Sequence, residues 1–280
     1  MTNPIADPLV EGLDDDLDTG LVTVEATPEG LAVVTLNRPE RRNAFDAELI
    51  AALSETFETL HGAEGVRVVF LRGAGGTFSA GADLQWMRDA AELTEADNRA
   101  DAMAMARMLK RLWDLPALTV ALVEGGAFGV GGGLAAACDM AVATEGARFS
   151  FSEVKLGLIP ATVSPYVVAA IGPRAARALF ATARVFGAAE AQALGLVSEV
   201  VADAAALDAA AERIGREMLD CAPGAVAEAK LLVDEVYGKQ IDHGLMEETS
   251  RRIARARVGE EGQEGVRAFL DHARPSWAVE

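Results

Sequence analysis

Cysteine is nearly missing from this chain: 280 residues carry two, Cys138 and Cys221. A pair so far apart outlines no disulfide framework, and no Cys/His spacing suits a metal. Both read as small core residues in apolar helical surroundings. Histidine is almost as scarce, with His61 beside a helix end, His243 in a polar stretch and His272 near the C-terminus. Each reads as a surface residue, so a Ser-His-Asp site has no support from spacing. No run of about 18 apolar residues offers a membrane span. The N-terminus lacks a basic region followed by an apolar one, which predicts no secretory signal and makes the cytoplasm the expected location. Positive charge is also in deficit, with 25 Lys and Arg against 43 Asp and Glu, a net −18. That balance argues against nucleic acid and anionic membranes as partners, though a pocket can still be locally positive.

What is present is a globular composition, 51% hydrophobic and 24% charged, in a chain long enough for one large domain with a small extension. Residues 1–20 are polar, with Asp14, Asp15, Asp16 and Asp18 clustered, and read as a disordered acidic tail. Leu21–Ala26 and Leu31–Leu36 are β-rich runs joined by Thr27-Pro28-Glu29-Gly30, which predicts a hairpin. Asp46 is placed to cap a helix whose apolar positions Leu49, Leu53, Phe57 and Leu60 recur at helical steps. Val66–Leu71 is a third strand. A helix spans about Thr94 to Trp113, with Thr94 and Asp97 placed as a capping box and Met103, Met105 and Met108 as gap-filling packing. Strands follow at Ala117–Val123, Met140–Thr144 and Ala147–Ser150, and from about Arg174 the chain is mostly helical with one strand at Leu196–Val201. Alternating strands and helices over 21–202 imply an α/β core, and 203–280 reads as an appended helical lobe for oligomerisation.

The densest feature is Val123 to Asp139, where Gly125, Gly126, Gly129, Gly131, Gly132 and Gly133 crowd between a strand-like run and an alanine-rich helical run. Glycine lets a ligand reach backbone N–H groups, and the helix start adds unpaired amides and a positive dipole end. The result is an acceptor for a phosphate or for a developing oxyanion. Gly-x-Gly-x-x-Gly fails because Leu134 stands at the sixth position from Gly129. The relaxed form matches from Gly131 to Ala136, but the strand expected at Met140 comes too soon for a crossover helix. No Gly-Lys-Ser/Thr opens the helix, and Thr77 stands where a nucleophile elbow around Ser79 needs glycine. A second small-residue turn, Phe78-Ser79-Ala80-Gly81-Ala82-Asp83-Leu84, leaves a strand and enters a helix. Paired with the glycine segment, it could aim two N–H groups at one carbonyl oxygen.

At these residues the chain resembles the crotonase, or enoyl-CoA hydratase/isomerase, family from about Leu21 to Ala273. The resemblance is carried by Leu36-Asn37-Arg38-Pro39 with Asn43-Ala44, Ala80-Gly81-Ala82-Asp83, the glycine segment ending Cys138-Asp139, and Phe151 to Pro160. It implies the α/β crotonase (ClpP/crotonase-like) spiral fold of ββα units with a C-terminal helical lobe. It further implies an acyl-CoA thioester substrate, no cofactor beyond that CoA, no metal, and a homotrimer or a hexamer. The implied oxyanion donors are the N–H groups of Ala82 and Val130, with Gly131 as the alternative register. The implied binding positions are Arg42, Asn43, Ala44 and Ala80 at the adenine end and Leu122 to Gly125 along the pantetheine arm. Gly81, Asp83, Leu84, Gly129, Gly131, Gly133, Pro160 and Thr162 complete the implied binding set. Arg274 or His272 would reach a neighbouring subunit's phosphates.

Family hydratases pair two glutamates. The second falls on Glu153 here; the first falls on Gly133, which has no side chain. A carboxyl in a pocket of Leu, Val and Ala is expected to have a raised pKa suited to proton transfer. One carboxylate fits isomerisation, or hydration in a subgroup with glycine at the first position. Ser152 to Val168, Ala170-Ile171-Gly172 and Ala82 to Met87 resemble bacterial methylglutaconyl-CoA and carboxygeranoyl-CoA hydratases. In that stretch Thr162 or Ser164 either bonds a substrate polar group or serves turn chemistry. The expectation is an enoyl-CoA hydratase, with a Δ3,Δ2-enoyl-CoA isomerase as the alternative and a non-catalytic CoA- or RNA-binding protein as the remaining class.

Overall fold

A computed structural model describes residues 19–278; the acidic-tail expectation lies almost wholly outside them. The first hairpin forms as the sequence predicts, with β1 (Val22–Ala26) antiparallel to β2 (Leu31–Leu36). The chain then crosses through α1 (Ala47–Gly62) to β3 (Val68–Gly73), parallel to β2. Asp46 caps α1 by accepting from Leu49 N–H at 2.9 Å. Two helices follow, α2 (Leu84–Glu92) and α3 (Glu95–Trp113). Thr94 caps α3 by accepting from Asp97 N–H at 3.2 Å, and its hydroxyl donates to the Asp97 carboxylate at 2.7 Å.

β4 (Leu118–Val123) leads into β5 (Gly126–Phe128) and α4 (Val130–Ala137) before β6 (Met140–Thr144) returns beside β4. β7 (Arg148–Ser150), α5 (Ser164–Thr182), β8 (Phe186–Gly187), α6 (Ala188–Leu194) and β9 (Glu199–Val201) complete the core. The helices α7 (Ala204–Leu219), α8 (Pro223–Val236), α9 (His243–Val258) and α10 (Glu260–Leu270) end the chain. The large sheet runs β1-β2-β3-β4-β6-β9 and the small one β5-β7-β8.

The central strands are apolar on both faces because both are covered. Val69, Leu71, Ala121 and Val123 enter the main core with Leu53 and Phe57 of α1 and Leu109 and Leu112 of α3. The alternate residues Val68, Phe70, Val120 and Leu122 meet Leu207, Ala210 and Ile214 of α7 on the other side. Burying one such side chain is worth about 1.5–3 kcal/mol. α7 is therefore part of the sheet's packing, whereas α8 and α9 hold no buried residue.

The fold corrects several expectations. Cys138 is buried, and burial pushes its thiol far up, but Cys221 is exposed in the turn after α7. Met105 and Met108 are core residues, while Met103 is 43% exposed on the outer face of α3. The last helical region begins at Ser164 rather than Arg174, with Val167 and Ile171 one turn apart on the buried face and a break at Gly172 before Pro173. The short strands β5 and β8 carry too few residues to show an alternation. The three histidines are exposed, as expected.

Candidate active site

Two turns leave neighbouring strand ends and lie side by side. Phe78 N–H donates to Glu124 C=O at 2.8 Å, Ser79 N–H to Gly126 C=O at 2.8 Å, and Phe128 N–H to Ser79 C=O at 3.0 Å. This parallel pairing sets Ser79 opposite Ala127, after which the two segments diverge: Ala82 bridges Phe45 and Val130 opens α4. Gly81 makes the approach possible at φ 93, since a β-carbon there would stand 3.0 Å from Phe128 O.

The two peptide N–H groups are aimed by their own carbonyls, because a trans peptide points them in opposite directions. The Gly81 C=O accepts from Phe45 N–H at 2.8 Å, so the Ala82 N–H faces away from Phe45. The Gly129 C=O accepts from Gly133 N–H at 3.0 Å inside α4, so the Val130 N–H leaves the helix along its axis. Val130 opens α4, where the first amides have no intrahelical acceptor and the dipole is positive. Among the described residues, neither N–H has a bonded acceptor. The residues before Ala82 and Val130 thus lie side by side, a β-carbon on Gly81 standing 3.9 Å from Gly129 N, with Gly131 one step into the helix.

Glu153 begins a 3-10 turn over Glu153–Leu156 just after β7. Gly129 N–H donates to Ser150 C=O at 2.8 Å, which brings that turn against the start of α4. Gly129 sits at φ 50, and a β-carbon on it would stand 3.1 Å from Glu153 Oε1. The carboxyl is therefore beside the residue that precedes Val130. Burial pushes its pKa up, and the hydrogen bond from its own backbone offsets only part of that. Its Oε2 is buried with no hydrogen-bond partner, an atom left for something outside the protein to satisfy.

One turn along the same face of α4, Gly133 meets Val163. A β-carbon at 133 would lie 2.2 Å from Val163 Cγ1 and 2.4 Å from its Cβ. The place of a side chain at 133 is already filled by a buried valine. The sequence shows the missing carboxylate; it does not show what stands there instead. Nothing in the run Ala161-Thr162-Val163-Ser164 marks one residue as facing α4.

The other predicted positions surround this pair. Ala80 N–H donates to Arg42 C=O at 2.9 Å, joining Arg42, Ala44 and Ala80 at one corner, where Ala44 is buried and Arg42 exposed. Asp83 is 6% exposed. Burial pushes its carboxyl up, but the N–H groups of Gln85 and Trp86 and the charges of Arg41 and Arg38 outweigh that and hold it below the usual carboxylate range. It serves as the cap of α2, and Leu84 at the helix start is exposed. Gly125 packs against Gly76 and accepts from Arg148 N–H at 2.8 Å. Pro160 is buried and Thr162 half-buried on the segment carrying Val163. The Ser164 hydroxyl donates to Ala161 C=O at 2.8 Å, so Ser164 serves the turn. His272 and Arg274 lie exposed in the C-terminal segment. A separate cavity of about 460 Å³ opens at the far end of α4, beside the Lys230–Asp139 ion pair, and takes no part in this arrangement. Among the described residues no cluster of His, Cys, Asp and Glu could hold a metal ion, and no helix is long and apolar enough to cross a membrane.

Comparison with known proteins gives a consistent result. The sequence profile described as "Enoyl-CoA hydratase/isomerase" matches residues 26–280. A solved enoyl-CoA hydratase from Shewanella pealeana is 40% identical, with TM-score 0.90, covering 94% of this chain and 98% of its own. The structure of AtuE from Pseudomonas aeruginosa is 37% identical, with TM-score 0.88, over 92% of this chain and 100% of its own. Enoyl-CoA hydratase ACTT6 from Alternaria alternata is 34% identical over 86% of this chain and 78% of its own length.

Proposed function

The chain belongs to the enoyl-CoA hydratase/isomerase family, and from that premise we propose that it adds water to an α,β-unsaturated acyl-CoA thioester. One observation carries the reading: two unpaired N–H groups on adjacent turns beside a buried, partnerless carboxyl oxygen. The thioester oxygen accepts from Ala82 and Val130, which stabilises the enolate more than the neutral carbonyl. Glu153 takes a proton from water as the water oxygen bonds to Cβ. The π electrons move onto the thioester, and the same carboxyl returns the proton to Cα as the enolate collapses. One water is consumed and no net charge forms.

A second reading is favoured by Val163. With the notch at Gly133 filled, no second carboxylate stands there, and Glu153 alone could move a proton from Cα to Cγ of a shifted double bond. The proposed substrate is a branched, carboxylated enoyl-CoA of the methylglutaconyl type, a class supported by the Ser152–Gly172 resemblance, with Thr162 offering a hydroxyl. CoA would lie along Arg42, Ala44, Ala80 and Gly125. The proposed assembly is a homotrimer or hexamer formed through the C-terminal lobe, without cofactor, nucleic acid or membrane, in the cytoplasm.

The test is a panel of enoyl-CoAs incubated in ordinary and deuterated water. A mass gain of one water supports hydration; double-bond migration without mass gain replaces it with isomerisation. Turnover of neither kind across the panel refutes both.

A further inference from the structure

One side chain touches both turns. Ser79 is fully buried. Its backbone is the seam between the turns, donating to Gly126 and accepting from Phe128. Its hydroxyl does two further things. It donates to Asn43 C=O at 2.8 Å and accepts from Gly81 N–H at 3.1 Å. Gly81 is the residue whose C=O shares a peptide plane with the Ala82 N–H. The Ser79 hydroxyl therefore holds Gly81 through its N–H and Phe45 holds it through its C=O, the carbonyl side of that peptide.

The anchor behind Ser79 is rigid. Asn43 is fully buried; its Oδ1 accepts from Arg38 N–H at 2.9 Å, and its Nδ2 donates to Ala74 C=O at 2.9 Å and Thr77 C=O at 2.7 Å. Arg42 and Asn43 both sit in the left-handed region, at φ 51 and 54, a strained corner that these bonds hold in place. On its other side Ser79 carries α4. A β-carbon on Gly131 would lie 2.8 Å from Ser79 Cβ, so the helix that presents Val130 is seated directly on this serine.

We propose that Ser79 is a positioning residue: its hydroxyl, anchored on Asn43, sets the Ala82 N–H relative to the Val130 N–H. The inference rests on reading those two groups as the donors to a thioester oxygen. Ser79→Ala leaves Gly81 N–H and Asn43 C=O buried without partners. Gly81 then turns toward another acceptor, and the Ala82 N–H loses its setting relative to the start of α4. Polarisation of the carbonyl falls, while CoA binding is unchanged.

The experiment is infrared difference spectroscopy of a saturated acyl-CoA, carbon-13 labelled at the thioester carbonyl, bound to wild type, Ser79→Ala and Ser79→Cys, with kinetics on the best substrate. Wild type lowers the bound C=O frequency relative to free. Ser79→Ala lowers it less and drops kcat by about tenfold or more, with KM within about twofold. Ser79→Cys, which keeps a donor and acceptor on a slightly larger and more weakly bonding atom, falls between. A Ser79→Ala protein with the wild-type frequency and kcat overturns the proposal, even if it melts at a lower temperature. Should Ser79→Ala not fold, wild-type frequency and rate in Ser79→Cys overturn it instead. A wild-type protein that shifts no carbonyl refutes the donor reading itself, a different failure.

Discussion

The first turn of α4 and the helices α8–α10 are built on opposite plans. Around Gly129–Gly133 the neighbours stand so close that a β-carbon would meet Glu153 at 3.1 Å, Ser79 at 2.8 Å and Val163 at 2.2 Å. In α8–α10, Leu231, Ile253, Val266 and Phe269 are exposed, Phe269 at 80%. The first region is complete within one chain, and small changes there are felt at once. The second has apolar surface that a single chain leaves uncovered, which fits the proposed association through this lobe. In the first region tight packing places backbone, while the lobe leaves apolar side chains exposed.

Substitutions can break this comparison, beginning with the largest effect. Glu153→Gln removes the one carboxyl beside the paired amides and should lower kcat by about 10²–10⁴; full turnover in that variant would end the mechanism. The same variant probes stability. The folded pKa of Glu153 is raised, so between the usual carboxylate value and the raised one the folded state holds a proton that the unfolded state releases. Stability therefore falls as pH rises through that window. Glu153→Gln should melt above wild type on the alkaline side of the window, with the gap closing below it. In wild type, the acid limb of kcat/KM should stand above an ordinary carboxylate pKa.

Gly133→Ala should cost about 1–3 kcal/mol in urea unfolding by overpacking against Val163, and Val163→Gly in the same chain should recover part of it. A neutral Gly133→Ala would show that the notch is not filled as described. Phe269→Asp should change the monomer's stability by less than about 0.5 kcal/mol, yet lower the mass seen by sedimentation. An unchanged sedimentation profile would remove the lobe from assembly and erase half of the contrast.

Much of the fold was legible because its signals are local. The hairpin at Thr27–Gly30, the Asp46 cap and the Thr94 cap need only neighbours in sequence. The two small-residue turns of the candidate site were legible by local pattern, while Glu153 was singled out by the family resemblance. Other features depend on partners far along the chain. The exposure of Cys221 and Met103 depends on which faces later helices cover, and α5 begins at Ser164 because Val167 and Ile171 find a core there. Ser79 gives no sign in sequence of binding Asn43, which lies 36 residues away.

By itself, the sequence determined the alternating α/β order and the two small-residue turns, because residue type and spacing encode these directly, and its motifs carried the resemblance to the family against which Gly133 lacks a carboxylate. Only the tertiary structure decided that Gly81 stands against Phe128 and Gly129, that Glu153 stands at Gly129, and that Val163 fills the place of a side chain at 133. Each of these is a contact between segments whose spacing along the chain carries no record of it, and packing within a few tenths of an ångström fixes them.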